Sequence, residues 1–413
     1  MTPSRAYILM LLLAAAACTK VPEVGGVGAP VPSDEPIGFA VSGEGTKGQA
    51  PITTLAALAR QDFSVSAWYS PAGKKFADLQ GIGYFSNHRF GYVTNDLAGE
   101  TTFPNAWRGV AAHGTTGAVS ANPVYWPLDG SLSFFCYAPY QDGSTDIVLE
   151  PAVTDAGIAA RLPDYLPGSP LIRVTPAASA ADQEDFLCAP PALDRTSAGG
   201  SLPLDFSRHR MTRVEFWFAY KGTLQSDPSI TETYEQVRVS SIRIENVVSS
   251  RYFYFQEAAP SAVGCGWSYA VSPANPALDG AAFPKTAYRL ESTTSGELKT
   301  GVDASLEDIE HGGAYRFIND TPAGHLYLLP QTLPADARLV ITYTILNLYA
   351  GTRVSEVVTW NLDAGAVTAW PEGKVVRYLI TLDLPDRGAV NVKTFVFPWE
   401  DSGNVHNEQE LLY

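Results

Sequence analysis

The strongest structural signal in the sequence is a run of alternating residue types near the middle of the chain, DFSRHRMTRVEFWFAY, from Asp205 to Tyr220. One set of alternate positions is apolar, and it comprises Val214, Phe216, Phe218 and Tyr220. The intervening set is mixed, and it comprises Arg213, Glu215 and Trp217. Because successive side chains of a β-strand point to opposite faces, the pattern predicts a long strand with one face buried. We expect one β domain before this predicted strand and a second β domain after it.

Short apolar runs separated by turns recur through the rest of the chain. The 413 residues include 30 prolines and 35 glycines, and aromatic residues make up 11% of the total. Frequent turns between aromatic-rich strands are typical of an all-β protein. A chain of this length exceeds one ordinary hydrophobic core, so the sequence favours two all-β domains. The polar, turn-rich residues 221–231 place the boundary, giving domains at 36–225 and 232–413.

Three further stretches have patterns that predict local structure. Residues 36–42 form a predicted first strand with Ile37, Phe39 and Val41 on one face, and residues 62–69 form the second strand. Between them, residues 43–51 read as a loop, and residues 53–60 could form about two turns of helix. In the second domain, alternation shifts phase around Ser240 and Ser241, which predicts a β-bulge or bend.

The overall charge excludes one class of partner. The formal net charge is −15 and the pI is near 4.8. A nucleic-acid-binding surface needs basic residues to neutralise phosphates, so nucleic acid is an unsuitable partner.

The N-terminus has the composition of an export signal at residues 1–17. Arg5 is followed by an apolar run from Ala6 to Ala16, too short to span a bilayer comfortably. The sequence Ala-Ala-Ala before Cys18 resembles a bacterial lipobox, although Ala15 stands where leucine is usual, and it implies lipidation at Cys18. The alternative is an ordinary signal peptide with an incidental cysteine. Residues 18–35 are rich in Val, Gly and Pro, and we predict a flexible tether there.

No residue pattern indicates catalysis, a metal or a cofactor. The four cysteines form no Cys-x-x-Cys pair, and the six histidines show no His-x-x-x-His spacing. His209 is expected to make a hydrogen bond at the start of a strand. Cys136 and Cys188 are expected to be small buried thiols, with a disulfide between them as the alternative. We therefore predict a protein that is not an enzyme.

Several short motifs resemble the fimbrillin-like proteins of the Bacteroidales, which are pilus subunits and related surface lipoproteins. They are Phe-x-x-His at residues 206–209, Tyr-Trp-Pro at 125–127 followed by an aromatic strand at 132–139, Tyr-Leu-Leu-Pro-Gln at 327–331, and Trp-x-x-Gly-Lys at 370–374. The resemblance covers most of the chain from Cys18 to Trp399. It implies two tandem transthyretin-like β-sandwiches, with Tyr125 and Trp126 in the first core.

The resemblance also implies a mechanism of assembly. In fimbrillins a surface protease cuts after a basic residue beyond the first strand, and a strand from another pilin subunit fills the vacated groove. Arg60 is the best candidate for the cut and Lys47 is the alternative, although Arg60 could equally be a plain exposed residue. The chain would then be a stalk, anchor or tip subunit of a surface fimbria, attached to the outer membrane through Cys18. The alternative is a monomeric surface lipoprotein that binds a glycan or host protein through exposed aromatics such as Trp107 or Trp267.

Overall fold

The computed structural model describes residues 30–42, 62–79, 82–93, 106–111, 122–142, 146–221, 235–256, 265–268, 284–291, 316–317, 325–347, 352–365, 367–383 and 389–399. These residues are mostly β-strand, which confirms the all-β prediction. Among them no helix combines the length and the apolar character needed to cross a membrane. The signal segment, Cys18, Lys47, Arg60 and the predicted helix at 53–60 lie outside the described residues.

The strands of the N-terminal half, in chain order, are β1 Pro32–Pro36, β2 Phe39–Ser42, β3 Phe63–Ser70, β4 Ile82–Val93, β5 Ala106–Gly109, β6 Tyr125–Pro127, β7 Ser131–Ala138, β8 Ile147–Glu150, β9 Leu171–Val174, β10 Leu187–Cys188, β11 Ala192–Arg195 and β12 Leu202–Asp205. Those of the C-terminal half are β13 Thr212–Lys221, β14 Glu235–Val248, β15 Arg251–Phe255, β16 Cys265–Trp267, β17 Lys285–Glu291, β18 Arg316–Phe317, β19 His325–Leu328, β20 Gln331–Thr332, β21 Arg338–Asn347, β22 Thr352–Asn361, β23 Ala369–Trp370, β24 Lys374–Asp383 and β25 Ala389–Pro398. Two short helices are α1 Phe76–Leu79 and α2 Ala156–Ala159, and 3₁₀ turns lie at Ala180–Asp182, Ser197–Gly199 and Leu362–Ala364.

The first large sheet surrounds a core made from one face of each strand. Its order is β10-β7-β3-β4-β5-β2-β12, with β11 also paired to β7. The predicted alternation in β3 holds, because Phe63, Val65 and Ala67 all enter this core. Strand β7 is buried on both faces, so its apolar run is nearly continuous.

Cys136 and Cys188 belong to opposite faces of this sheet. The side chain of Cys136 lies in the first core, whereas that of Cys188 lies in the core behind the sheet. Both side chains are buried thiols, and the Cys188 Sγ lies 3.4 Å from the Cys136 carbonyl oxygen. The two cysteines are buried thiols, as the sequence favours.

A second sandwich occupies the C-terminal half. One layer has the order β17-β14-β21-β22 and the other β18-β13-β24-β25, with β19 also paired to β13. Their facing side chains form one large apolar core. The pairing of β14 with β21 shifts register between Val239 and Ser241, which confirms the predicted irregularity.

Strand β13, which is predicted from the alternating residues near the middle of the chain, belongs to this second sandwich. It pairs in parallel with β24 over nine residues, and Val214, Phe216 and Phe218 enter the C-terminal core. The other face of β13 is more covered than the pattern predicts, because Glu215 is also buried. The division between residues 225 and 232 stays a prediction.

A third sheet joins the two halves. Its order is β16-β15-β9-β8, so it combines strands from before and after β13. Its side chains share a core with those on the second face of β7, with Tyr327 and with Trp399. The sequence gives no indication of this bridging layer, because the layer is joined by the pairing of β9 with β15, which lie far apart in the chain. The transthyretin-like topology of each half stays a prediction.

Candidate functional site: the first strand and its groove

Strand β2 lies in a groove between β5 and β12. It pairs in parallel with β12 over four residues, from Phe39 opposite Leu202 to Ser42 opposite Asp205. On its other side it pairs with β5 at a single position, Phe39 opposite Trp107. The backbone N–H of Leu202 also donates to the Gly38 carbonyl at 3.1 Å. Among the described residues, β2 therefore has more main-chain pairing with β12 than with β5.

The first strand predicted from the sequence, residues 36–42, corresponds to β2 and the residues just before it. Its alternate side chains fill apolar slots in the groove. Ile37 and Phe39 are buried and Val41 packs against the same core, whereas Ala40 is exposed. This confirms the predicted common face of the three apolar residues. Such alternation is what allows a strand to be held by main-chain bonds and by side-chain slots together.

Phe39 is the central contact in the groove. Its ring meets Phe63, Phe90 and Phe134 edge-on, at centroid distances of 6.0, 4.8 and 5.6 Å. Edge-to-face pairs of this kind each add about 0.5–1.5 kcal/mol beyond the burial of area. Removing the first strand would expose three aromatic rings at the floor of the groove.

The segment that precedes β2 is attached elsewhere. Strand β1 pairs antiparallel with β6, with Pro32 opposite Pro127 and Pro36 opposite Tyr125. The Leu128 N–H donates to the Val31 carbonyl at 2.8 Å. Residues 32–36 are thus a paired strand, which corrects the prediction that the flexible tether extends to residue 35.

The Tyr-Trp-Pro motif divides its two aromatic residues between core and surface. Trp126 is buried and packs edge-on against Phe134 at 5.6 Å. Tyr125 is 36% exposed, and its carbonyl accepts a hydrogen bond from the Tyr84 hydroxyl at 2.8 Å. The expectation that both residues pack the core is wrong for Tyr125, because alternation in β6 turns it outward.

Asp62, the residue immediately before β3, is buried and bonded close to the proposed processing site. Asp62 is 2% exposed with φ of 58°, and its Oδ2 lies 2.9 Å from Nε of Arg89. The Asp62 carbonyl accepts from the Tyr140 N–H at 3.2 Å, and the Arg89 guanidinium lies 4.5 Å from the Tyr140 ring centroid. The fold therefore anchors the chain two residues after Arg60.

The tryptophans proposed for ligand binding are core residues. Trp107 is 5% exposed and packs against Phe63, and Trp267 is 3% exposed. The Trp267 indole N–H donates to the Arg210 carbonyl at 3.0 Å. The prediction that these two residues are exposed is wrong, because both strands that carry them face a core.

One network of buried charged residues joins the neighbouring strands β13 and β24. Glu215 accepts hydrogen bonds from Arg377 at 2.9 and 3.1 Å and from Arg213 Nε at 2.8 Å. The Arg377 guanidinium lies 4.4 Å from the Trp217 ring. Burial lowers the pKa of Arg377 and Glu215 opposes that shift. Glu215 therefore pairs with two arginines inside the fold, which is a structural role.

Two of the described histidines, His209 and His325, are buried. His209 Nδ1 lies 2.6 Å from Asp185 Oδ2, and its ring stacks on Trp399 at 4.1 Å. The expectation that His209 makes a hydrogen bond is confirmed. Burial, aided by the nearby positive charge of Arg213, lowers the pKa of His325 to about 3, so its ring is neutral. Within the described ranges, no group of three or more His, Cys, Asp or Glu side chains is arranged to hold a metal ion.

Two of the sequence motifs acquire clear packing roles. In the Tyr-Leu-Leu-Pro-Gln run, the Gln331 side chain accepts from the Val248 N–H at 2.8 Å and donates to the Leu329 carbonyl at 3.1 Å. In the Trp-x-x-Gly-Lys turn, Trp370 is buried and donates to the Tyr378 hydroxyl at 2.9 Å. Gly373 takes a positive φ of 63°, which favours glycine. Both motifs therefore stabilise the fold.

Residues 89–399 match the protein family described as fimbrillin-like. The chain belongs to the fimbrillin-like family. This assignment supports a role as a structural subunit of a cell-surface fimbria, with other pilin subunits as partners, and not as an enzyme. No curated protein sequence matches the chain significantly.

The solved structures to which the chain is similar include fimbrial and adhesion proteins. A protein assigned to cell adhesion from Bacteroides uniformis has 11% identity and a TM-score of 0.42, covering 89% of this fimbrillin-like chain and 100% of its own. A fimbrilin from Porphyromonas gingivalis has 9% identity and a TM-score of 0.36, with coverages of 91% and 99%. The fimbrial anchor protein of the same organism has 10% identity and a TM-score of 0.23, with coverages of 88% and 98%. These similarities are distant, and the family assignment rests on the sequence match.

Proposed function

We propose that this fimbrillin-like protein is a fimbrial subunit that assembles by donor-strand exchange. In this scheme, a cut between β2 and β3 frees the first strand, and a strand of another subunit takes its place in the groove. The observation that carries the proposal is the way Ile37, Phe39 and Val41 occupy apolar slots between β5 and β12. A groove with unpaired strand edges and empty apolar slots binds an extended strand by β-augmentation.

The position of the cut is the second part of the proposal. Arg60 and Lys47 both lie between β2 and β3, so cleavage after either residue separates the first strand from the body of the protein. Asp62 and Phe63 are buried immediately after Arg60. A cut after Arg60 therefore leaves only Gln61 ahead of the buried Asp62, whereas a cut after Lys47 leaves a longer N-terminal extension.

Membrane attachment is the third part. Lipidation of Cys18 would tether the exported chain to the outer membrane at the cell surface before any cut. Cleavage after Arg60 or Lys47 would then release the subunit from that anchor. A subunit that keeps its first strand and its lipid would instead serve as an anchor.

The test is the mass and N-terminal residue of the protein recovered from the bacterial surface. A chain that begins at Gln61 supports cleavage after Arg60, and one that begins at Gly48 supports cleavage after Lys47. Recovery only of a chain that begins at lipidated Cys18 refutes proteolytic activation and leaves an anchor subunit or a monomeric surface protein. Arg60→Ala and Lys47→Ala should shift the N-terminus, and Lys74→Ala is the matched control because Lys74 follows β3.

Among the described residues, no observation favours the alternative of a monomeric glycan or host-protein binder. The two tryptophans that suggested it, Trp107 and Trp267, are buried. Purified protein that stays monomeric after cleavage between β2 and β3 would bring this alternative back.

A further inference from the structure

The N-terminal residues 30–42, called the first segment here, are held at two separate places. Its second part, β2, occupies the groove between β5 and β12. Its first part, β1, lies outside that sheet and forms a two-stranded ladder with β6. Backbone hydrogen bonds of 2.8 Å bracket this ladder, one from Leu128 to the Val31 carbonyl and one from Ile37 to the Val124 carbonyl.

The two attachments differ in chemistry. The groove holds β2 through buried apolar side chains, above all Phe39. By contrast, four of the five side chains of β1 are exposed, so this strand is held through its main chain. The exposed Val31 and Leu128, at 61% and 67%, flank the ladder without entering the core. A main-chain attachment of this kind accepts many sequences, provided that they are extended.

The order of the two attachments along the chain matters for exchange. The ladder precedes β2, whereas Lys47 and Arg60 follow it. A cut therefore frees the Ser42 end of the first segment and leaves both attachments in place. Displacement would start at the Val41 slot and proceed towards Ile37, and the ladder with β6 would separate last.

We propose that β6 and Leu128 form a second docking strip, separate from the groove, which retains the first segment after cleavage. A strand that fully replaces the first segment then needs two parts. One part has apolar residues at three alternate positions for the groove, and the other is an extended part of about five residues whose side chains can be polar or proline. The role of the strip in assembly rests on the proposed strand exchange, but retention of the first segment does not.

The experiment measures how fast the first segment leaves after an engineered cut. A recognition site for a sequence-specific protease is inserted within residues 43–50 of the chain that begins at Thr19, and the folded protein is cut there. Loss of the N-terminal fragment is followed by size-exclusion chromatography and mass spectrometry. Circular dichroism before cutting must match that of the unaltered chain.

Two variants test the strip. Leu128→Pro removes the N–H that donates to Val31, and we expect fragment loss to accelerate about threefold to tenfold, since one hydrogen bond contributes about 0.5–1.5 kcal/mol. Leu128→Ser is the matched control, because it changes the same exposed side chain and keeps the N–H. A chain that begins at Pro36 lacks residues 32–35 of β1, and its fragment should leave at least tenfold faster.

Equal rates of fragment loss from the unaltered chain, the Leu128→Pro variant and the chain that begins at Pro36 would overturn the proposal. Loss from Leu128→Ser as fast as from Leu128→Pro would also overturn it, since the main-chain bond would then be irrelevant. The engineered cut does not depend on natural processing. Failure of the strip can therefore be told apart from failure of the proposed cleavage at Arg60 or Lys47.

Discussion

Truncation of Phe39 to alanine is the most direct perturbation of the groove. The ring is buried and contacts Phe63, Phe90 and Phe134 edge-on. Burial of a phenylalanine contributes about 1.5–3 kcal/mol, and Phe→Ala substitutions in cores cost about 3–5 kcal/mol once the cavity is included. We expect Phe39→Ala to lower the free energy of unfolding of the uncut chain by about 3–4 kcal/mol.

The assay for Phe39→Ala is urea unfolding followed by tryptophan fluorescence, together with native-state hydrogen exchange. Trp107 and Trp126 lie beside the groove and report on its loss. Exchange of β3 amides distinguishes local opening of the first sheet from unfolding of the second sandwich. Ala40→Ser is the matched control, since Ala40 points outward from the same strand, and its effect should stay within about 0.5 kcal/mol.

A loss of less than about 1 kcal/mol in Phe39→Ala would contradict this account of the groove. It would mean that the first strand is not held by its apolar slots. A loss equal to that of Ala40→Ser would lead to the same conclusion. In either case, the groove would lack the binding energy that strand exchange requires.

Three further predictions concern the rest of the described structure. Glu215→Gln leaves the buried Arg377 without its counter-charge, and we expect a loss of about 3 kcal/mol or more in urea unfolding. His325→Phe should flatten the pH dependence of stability, because the folded pKa of His325 is about 3 and the unfolded value is about 6.5. The native protein therefore loses stability as pH falls from about 6.5 towards 3, by up to about 1.4 kcal/mol per unit, and the variant lacks this contribution. Cys136 and Cys188 should react with a thiol reagent only after unfolding, and non-reducing peptide mapping should show them unlinked.

Each of these predictions has a clear contrary result. Glu150→Gln breaks a half-exposed pair with Arg173, which should cost less than about 1 kcal/mol, so an equal cost for Glu215→Gln would contradict the buried network. Identical stability profiles of His325→Phe and the unaltered chain between pH 6.5 and 4 would contradict a neutral buried histidine. A linked peptide pair in the non-reducing map would contradict the opposite-face placement of the two cysteines.

Local sequence patterns identify much of the fold. Alternation correctly assigns the inward residues of β2, β3 and β13, because the period of a strand fixes which side chains share a face. The phase shift around Ser240 is found for the same reason. The sequence also contains the family motifs, but it does not indicate that Gln331 ties the backbone at Val248 or that Trp370 meets Tyr378.

The candidate site could be predicted only in part. The apolar face of the first strand is visible in the sequence, since Ile37, Phe39 and Val41 alternate. That β12 lies beside it in parallel is not visible, because this pairing joins segments far apart in the chain. The burial of Trp107 and the exposure of Tyr125 depend on neighbours that no local pattern specifies.

Sequence alone thus specifies the all-β class, the inward faces of the main strands and the charge that excludes nucleic acid. Three features emerge only from the tertiary structure: β13 joins the C-terminal core, a bridging sheet takes strands from both halves, and β1 pairs with β6. The physical reason is that side-chain periodicity is a local property, whereas strand pairing depends on contacts between distant segments. Burial of the charged Glu215 follows from such contacts, since its partner Arg377 lies on a strand from the other end of the chain.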